Sequence, residues 1–252
     1  MKKTKKSDEV EVQFQSTFDR YTCMLRICSA AVMNKRIGSK ALSSKMKSTL
    51  LVEDSFASLI WMPDWKGDAS TFASFAKELV TATSHRFQTN GMMQDKFNEE
   101  AFAYSVGELG ENLLRAFYEY LEGNPCPDEQ TEAKGQFVQL QYKSKVDKVT
   151  VLLNVGDRQR MNDEVLNGMM ITGQGGATAR ADGDDKIFIW LPDWQFRVND
   201  FGMLFHELIH ASMHRVTIRG KRDGFRIEDI ADSVEELTEG LLRVLEGATQ
   251  KV

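Results

Sequence analysis

The stretch DFGMLFHELIHASMHR, residues 200–215, decides how the rest of the chain is interpreted. Its apolar residues recur at a spacing near 3.6, which predicts a helix. Residues four apart lie on one face of a helix, so His206 and His210 can present two imidazoles to one metal ion. With Glu207 beside the first histidine, the pattern is HExxH, in which two histidines hold zinc and the glutamate acts as general base on a water that the metal activates. The alternative is a buried helix with two incidental histidines.

The composition describes an ordinary globular protein. The chain has 252 residues, enough for one large or two small domains, with 42% hydrophobic and 27% charged residues. A net charge of -5 argues against a large nucleic-acid interface, because phosphate contacts need clustered lysine and arginine. No segment has the apolar length of a membrane span. Three cysteines without a close pair predict a reducing cytoplasm, with neither disulfides nor a thiolate metal site.

The chain repeats itself at a spacing of about 129 residues. Three pairs of strings match at this offset or at one residue less: LIWMPDW (59–65) with FIWLPDW (188–194), AKELVTATSHR (76–86) with FHELIHASMHR (205–215), and SVGELGENLLR (105–115) with SVEELTEGLLR (233–243). The order of the matches is the same in both halves, which indicates an internal duplication. In the first copy Lys77 and Thr81 stand where the second has His206 and His210.

The duplication predicts an α+β protein of two homologous units, each with a small antiparallel or mixed sheet and helices. The N-terminal copy, residues 10–123, lacks both histidines and is therefore degenerate. The C-terminal copy spans residues 136–252 and carries the metal motif. Residues 124–135 are polar and contain two prolines, which predicts a linker, and the basic residues 1–9 are expected to be a disordered tail.

Two strands are predicted before the motif helix of the second copy. One lies near residues 169–172, and the other ends in the Trp-Leu-Pro-Asp-Trp string, because proline cannot donate to a ladder. Between them GQGGATARADGDD (173–185) has little to bury and is predicted to be a mobile loop facing the site. A final helix over residues 227–245 is expected to close this unit.

The string DKIFIWLPDW, the helix with HELIHAS and the helix with EELTE together resemble the zincin metallopeptidases. The likeness is greatest to the gluzincin branch and to the zincin-like domains of plasmid antirestriction proteins, and it covers residues 178–245. This resemblance implies a zinc ion on His206, His210 and a glutamate of the later helix. It also implies that Glu207 is the general base.

The same resemblance implies where a substrate would lie. The strand with Ile187, Ile189 and Trp190 would run along the edge of the cleft, where an extended peptide of a protein substrate can pair with it. Members of such families stabilise the oxyanion with a tyrosine or histidine near the third ligand. The second copy has only Tyr142, far upstream, so this role is left unassigned.

The third metal ligand is expected on the helix 227–245, because a catalytic zinc takes three protein ligands and leaves a position for water. That helix offers Glu235, Glu236 and Glu239. Only Glu235 matches a non-acidic residue, Gly107, in the first copy, so its carboxylate is missing there together with the histidines. We therefore expect Glu235 to be the ligand, with Glu239 supporting it from the same helix face and Glu236 as the alternative ligand.

Features present in both copies are expected to be architectural. His214 matches His85, and it lies about 12 Å along the helix from His206, too far for two ligands of one ion. It is therefore assigned a structural or supporting role. Glu207 matches Glu78, so a packing role competes with its role as general base.

These patterns predict a cytoplasmic zinc metallopeptidase that hydrolyses peptide bonds in a protein substrate and binds one zinc ion per chain. The rival interpretation is a non-catalytic metal-binding or interaction protein, an antirestriction-like factor that acts on a host protein or DNA. The intact HExxH favours the enzyme, and the missing oxyanion residue favours the rival. Neither nucleic acid nor a membrane is expected as a partner of the enzyme.

Overall fold

A computed structural model describes residues 9–92, 97–123, 137–144, 146–159, 176–180, 185–218 and 226–249. The basic tail up to residue 8, the linker 124–135 and the strand expected near residues 169–172 lie outside these ranges. Within them the chain is a mixed α/β protein with two four-stranded sheets and five helices. The boundaries of the two units and the duplication itself stay predictions.

The first sheet contains parallel and antiparallel pairs, so it is a mixed sheet. Its strands are β1 (Glu9–Gln15), β2 (Thr22–Cys28), β3 (Thr49–Asp54) and β4 (Ala57–Met62), in the order β1-β2-β4-β3. β2 pairs with β4 in parallel, and the two outer pairs are antiparallel. Buried and exposed residues alternate along β1, as expected of a strand with one face on the core.

The second sheet has the same strand order and the same strand directions. Its strands are β5 (Phe137–Lys143), β6 (Thr150–Gly156), β7 (Ala177–Arg180) and β8 (Lys186–Pro192), in the order β5-β6-β8-β7. β6 pairs with β8 in parallel, and both outer pairs are antiparallel. Both β4 and β8 end at the proline string, as its sequence predicts.

Strand β7 corrects the prediction that residues 173–185 form a loop. Its sequence, Ala-Thr-Ala-Arg, has no large apolar side chain and so shows no strand pattern. The strand forms because its main chain pairs with β8 while its small residues pack against the motif helix. A short edge strand of this kind leaves no signal in the hydrophobic pattern.

The described residues form five helices. They are α1 (Ala30–Ile37), α2 (Ala69–Thr89), α3 (Glu99–Glu122), α4 (Val198–Ile218) and α5 (Ile227–Thr249). Asp68 and Asn98 cap α2 and α3, each accepting a hydrogen bond from the backbone N–H three residues later. The motif helix and the final helix are confirmed as α4 and α5. None of the described helices has the length and apolar character needed to cross a bilayer.

The long helices of the two halves are interleaved. α3 packs most extensively on α4, and α5 packs most extensively on α2. A Cβ atom added at Gly107 of α3 would lie 2.8 Å from the carbonyl oxygen of Gly202 in α4, so the close approach requires glycine. Phe72 of α2 stacks on Phe201 of α4, with ring centroids 4.4 Å apart. Each final helix therefore lies on the other half's central helix and does not close its own unit alone.

One continuous hydrophobic core runs through both halves and contains the buried faces of both sheets and of the four long helices. Fully burying one large apolar side chain contributes about 1.5–3 kcal/mol, so a shared core couples the halves strongly. A smaller cluster covers the opposite face of the first sheet under α1. Cys23 and Cys28 are free and buried, one in each cluster, as small hydrophobic residues would be.

Each half contains a buried arginine with the same set of partners. The partners are Asp19, Glu108, Ser16 and Ser105 for Arg86, and Asp147, Glu236, Ser144 and Ser233 for Arg215. In both cases the guanidinium Nε donates to the aspartate at 2.6 Å. A buried guanidinium needs such partners because an uncompensated charge is costly in the interior. The two networks tie the last helix of each half to its own first hairpin.

Candidate metal centre

The motif helix brings its two histidines together. His206 and His210 lie one turn apart on α4, and their Nε2 atoms are 3.2 Å from each other. Both side chains are partly buried. The expectation that the two imidazoles share one face of a helix is therefore met.

Two glutamates from the other half of the chain complete this group. Glu99 and Glu100 are the first two residues of α3, which runs alongside α4. The Glu100 carboxylate lies 3.0 Å from Nε2 of His210 and 3.6 Å from Nε2 of His206. In the described part of the chain, Glu100, His206 and His210 form a group that could hold a metal ion.

The spacing between the two imidazoles and the Glu100 carboxylate suits a small tetrahedral ion. Bonds of about 2.0–2.1 Å to such an ion place two of its ligand atoms about 3.3 Å apart. The two Nε2 atoms are 3.2 Å apart. One oxygen of the Glu100 carboxylate lies 3.0 Å from Nε2 of His210, and its other oxygen lies 3.6 Å from Nε2 of His206, so these separations are close to that value. Two imidazoles and one carboxylate suit Zn²⁺ and also other divalent first-row metals.

The imidazoles are also held on their other side by α3. Nδ1 of His210 lies 2.7 Å from the carboxylate of Glu99, and His206 hydrogen-bonds to the backbone of Ala103. The ring of Tyr104 stands against His206, with centroids 4.5 Å apart. Such partners fix the orientation and tautomer of a metal-binding histidine. One helix turn from the first half therefore supplies both a ligand and the groups that orient the other ligands.

The two histidines differ in proton affinity. Burial lowers the pKa of His206 below its ordinary value, and the neighbouring His210 lowers it further. Burial acts in the same direction on His210, but the hydrogen bond to Glu99 and the charges of the nearby glutamates together outweigh it and raise the pKa of His210. A neutral imidazole is the form that binds a metal ion.

Glu207 is buried beneath β7 rather than exposed on the helix surface. The Thr178 hydroxyl donates to its carboxylate at 2.7 Å. A Cβ atom at Gly176 would lie 2.8 Å from Glu207 Cγ, so glycine makes room for this side chain. Burial raises the pKa of Glu207 to about 7, against the smaller opposing effect of the Thr178 hydrogen bond. A carboxyl group of this kind can take up and release a proton near neutral pH.

Glu78 has similar surroundings in the first half. It is buried, accepts a hydrogen bond of 2.7 Å from the Ser48 hydroxyl, and burial raises its pKa. Both glutamates thus lie between the central helix and the outer strand of their own half. This position is part of the architecture in both halves, and only the second half places it next to two histidines.

The structure places Glu235 away from the histidines, which corrects its assignment as the third ligand. Its carboxylate lies 3.0 Å from Nζ of Lys77, which also binds Asp232 at 2.6 Å. The assignment assumed that α5 lies beside α4 in the same way as in a self-contained unit. Because α5 packs most extensively on α2, Glu235 meets the residue that replaces His206 in the first half. In the group that could hold a metal ion, the carboxylate beside the two histidines is that of Glu100.

The other acidic and histidine candidates are engaged elsewhere. Glu236, the alternative ligand, binds Arg215, Ser144 and Tyr142 in the buried arginine network. Glu239 pairs with Arg243 on the surface of α5. His214 is partly exposed, and the charges of Glu99 and Arg180 act on its imidazole. It therefore lies beside the group of Glu100, His206 and His210 without being a member of it.

The predicted substrate-edge strand is also corrected. Ile187, Ile189 and Trp190 belong to β8, which has β6 on one side and β7 on the other. Both main-chain edges of β8 are therefore occupied, and all three side chains are buried. Among the described strands, the edge next to α4 is β7.

Sequence reasoning missed Glu99, Glu100 and Tyr104. Glu100 corresponds to Glu228 in the second copy, so comparison of the copies does not single it out. Two acidic residues after an asparagine cap are also an ordinary helix start, favoured by the helix dipole. No local pattern indicates that the start of α3 faces the middle of α4. The packing of the two helices was the missing information.

The arrangement offers three chemical elements in one place: a group that could hold a metal ion, a buried carboxyl group with a pKa near neutrality, and a strand edge that has no partner among the described strands. Together they can bind a metal ion, transfer a proton and pair with an extended chain. Comparison of the chain with protein-family models, with curated proteins and with solved structures finds no match.

Proposed function

We propose that the chain is a zinc-dependent metallopeptidase of the zincin type, in which His206, His210 and Glu100 hold one zinc ion. The observation that supports this most is the convergence of two imidazole Nε2 atoms and one carboxylate from two helices, at separations of 3.0 to 3.6 Å. When bound, zinc supplies Lewis-acid polarisation of a carbonyl and makes a water more acidic. The gluzincin-like resemblance of the motif helix is consistent with this chemistry.

In this proposal Glu207 is the general base. It takes a proton from the attacking water and gives it to the leaving amine nitrogen, for which a pKa near 7 is suitable. The Thr178 hydroxyl and Gly176 hold the carboxyl group in place. Tyr104 is the candidate donor to the oxyanion, because its ring stands against His206 and its side chain is 64% exposed.

The substrate in this proposal is a peptide that pairs with the outer edge of β7, which has no partner among the described strands. β7 lies directly over Glu207, whereas β8 has no free edge among the described strands. Addition of an extended peptide to a sheet edge supplies main-chain hydrogen bonds without demanding a sequence. The cleft would then be formed by β7, α4 and the start of α3.

We further infer that the two halves arose by duplication of one zincin-like unit and that the first has lost its metal. The common strand order and the matching arginine networks support this history. The loss is not a simple deletion, because Lys77 now pairs with two carboxylates where the second half has its histidines. The third ligand in this account comes from the degenerate copy, so that copy remains necessary.

A non-catalytic metal-binding protein is the second candidate. The observation that favours it is the shared environment of Glu207 and Glu78, since a glutamate that packs in the same way without histidines has an architectural role. In that case the metal ion would fasten α3 to α4 and shape a surface for an interaction partner. An antirestriction-like factor acting on a host protein or DNA falls in this class.

Elemental analysis of the purified protein, followed by cleavage of an unbiased peptide library, separates the two candidates. We expect about one zinc per chain, cleavage that a chelator abolishes, and loss of both in a His206→Ala/His210→Ala variant. Tyr104→Phe should keep the metal and slow cleavage by about 100-fold, the usual cost of removing one oxyanion donor. One zinc per chain without cleavage of any peptide supports the non-catalytic protein, and no metal at all contradicts both candidates.

A further inference from the structure

Arg180 is the last residue of β7 and pairs in register with Ile187 of β8. Side chains two residues apart on a strand point to the same face, so Arg180 shares the face of Thr178. Because Thr178 donates to Glu207 on α4, this face looks onto the motif helix. The charge of Arg180 acts on His214, which lies one turn beyond His210 on α4. The guanidinium therefore lies near one end of the proposed cleft between β7, α4 and the start of α3.

Arg180 carries a hydrogen-bond donor that is unused among the residues that the structure describes. Its Nε atom is buried from solvent and has no hydrogen-bond acceptor. Within the described ranges, no carboxylate forms an ion pair with Arg180. The nearby carboxylates of Glu99 and Glu100 contact His210 instead. A partly buried cation with an unused donor is costly unless a ligand completes it.

The corresponding position in the first half carries no charge. β3 pairs with β4 as β7 pairs with β8, and this register places Val52 where the second half has Arg180. Val52 is 58% exposed. The arginine therefore occurs only in the half that has the histidines, and the strand does not need it for its own structure.

We propose that Arg180 binds a carboxylate of a peptide lying along β7, so that the site selects acidic peptides. This inference rests on the proposed binding of a peptide at this edge. An arginine guanidinium binds a carboxylate through two parallel, charge-assisted hydrogen bonds, which suits the unused donor at Nε. The carboxylate comes either from an aspartate or glutamate side chain or from the end of the peptide chain.

The test measures binding without turnover. The parent is the zinc-loaded Glu207→Gln protein, and the ligands are coumarin-labelled decapeptide pools built from uncharged residues. One capped pool has glutamate at a central position, a second capped pool has glutamine there, and a third has that glutamine and a free terminal carboxylate. Fluorescence anisotropy gives each Kd for the parent and for added Arg180→Gln, Arg180→Lys and Arg180→Gln/Val52→Arg substitutions.

We expect at least one carboxylate-bearing pool to bind the parent about tenfold more tightly than the capped glutamine pool, since a charge-assisted hydrogen bond contributes at least that factor. The pool with the preference identifies the source of the carboxylate. The preference for the carboxylate-bearing pool should vanish with Arg180→Gln and survive in part with Arg180→Lys. It should stay absent in Arg180→Gln/Val52→Arg, in which the second substitution restores the net charge.

Equal affinities for all three pools, or no measurable binding, would overturn the proposal. So would a preference that persists in Arg180→Gln or returns with Val52→Arg, because overall charge would then explain it. Cleavage by the wild-type protein is measured separately. A protein that selects acidic peptides but never cleaves them contradicts the proposed peptidase and leaves the role of Arg180 intact.

Discussion

Nζ of Lys77 lies 3.0 Å from the carboxylate of Glu235, and this pair occupies in one half of the molecule the place that His206 and Gly107 occupy in the other. At Gly107 a Cβ atom would be 3.5 Å from Cβ of His206, so the two helices approach there as they do at the ion pair. The positive charge that a metal ion would bring to the second half is supplied by an ammonium group in the first. Burial lowers the pKa of Lys77, but the hydrogen bonds to Asp232 and Glu235 outweigh it and raise that pKa.

The first prediction concerns the third ligand. Glu100→Ala should weaken zinc binding by at least about 100-fold, because even the loss of an outer partner of a metal ligand costs about 10–100-fold. Glu99→Gln should cost about 10–100-fold, since its carboxylate only orients His210. Glu235→Ala should leave zinc affinity unchanged, because its carboxylate binds Lys77.

Competitive zinc titration against a chromophoric chelator measures all three affinities. A larger loss for Glu235→Ala than for Glu100→Ala would show that α5, and not α3, supplies the ligand.

The second prediction is that the first half can be given a metal site. Lys77 and Thr81 lie one turn apart on α2, where the second half has His206 and His210, and carboxylates of α5 surround Lys77. Lys77→His/Thr81→His should therefore raise the zinc content from about one to about two per chain, because two imidazoles and a nearby carboxylate complete a ligand set.

Elemental analysis after dialysis gives the count. The matched control, Lys77→Ala/Thr81→Ala, removes the ammonium without adding ligands and should stay at one zinc per chain. An unchanged content in the histidine variant would mean that the carboxylates of α5 do not reach the new imidazoles.

The third prediction separates the chemical role of Glu207 from its packing role. Glu207→Gln should keep the zinc and abolish peptide cleavage, because an amide can accept the Thr178 hydrogen bond but cannot take a proton. Glu78→Gln makes the same change in the half without histidines and should retain parental cleavage.

Zinc content, cleavage rate and thermal stability are measured on both variants side by side. If both variants cleaved peptides at the parental rate, Glu207 would have a purely architectural function.

The fourth prediction concerns the pH dependence of stability. Burial alone would raise the pKa of Glu236, but hydrogen bonds from Ser144 and Arg215 outweigh it and lower that pKa below its ordinary value. A group whose pKa is lower in the folded protein stabilises it above the unfolded pKa, near 4.3, and loses this contribution as pH falls through the folded pKa. The parent should therefore lose free energy of unfolding between about pH 5 and pH 3.

Urea unfolding at several pH values tests this sign. Glu236→Gln should be less stable than the parent at pH 6 and should lose less stability on acidification. Glu239→Gln, whose partner Arg243 lies on the exposed surface of α5, serves as the control and should follow the parent. A Glu236→Gln protein with the full parental acid sensitivity would contradict the assignment.

The sequence by itself determined the local parts of this protein. The spacing of apolar residues in 200–215 predicted α4, and a separation of four residues is enough to put His206 and His210 on one face, because both follow from helix geometry. The strand ends at the two proline strings follow equally from local chemistry, since proline lacks an N–H donor.

Only the tertiary structure decided which residues complete the site. Glu235 and Glu100 are both acidic residues on amphipathic helices, and their own neighbourhoods in the sequence do not distinguish them. The choice depends on the interleaving of α3 with α4 and of α5 with α2, which arises from close contacts such as Gly107 on Gly202 and Phe72 on Phe201. β7 escaped prediction for a related reason: its four residues carry no hydrophobic pattern, and its strand exists because β8 and α4 lie beside it. Contacts between segments that are far apart in the sequence set these features. The local hydrophobic periodicity of the sequence does not show which distant segments will touch.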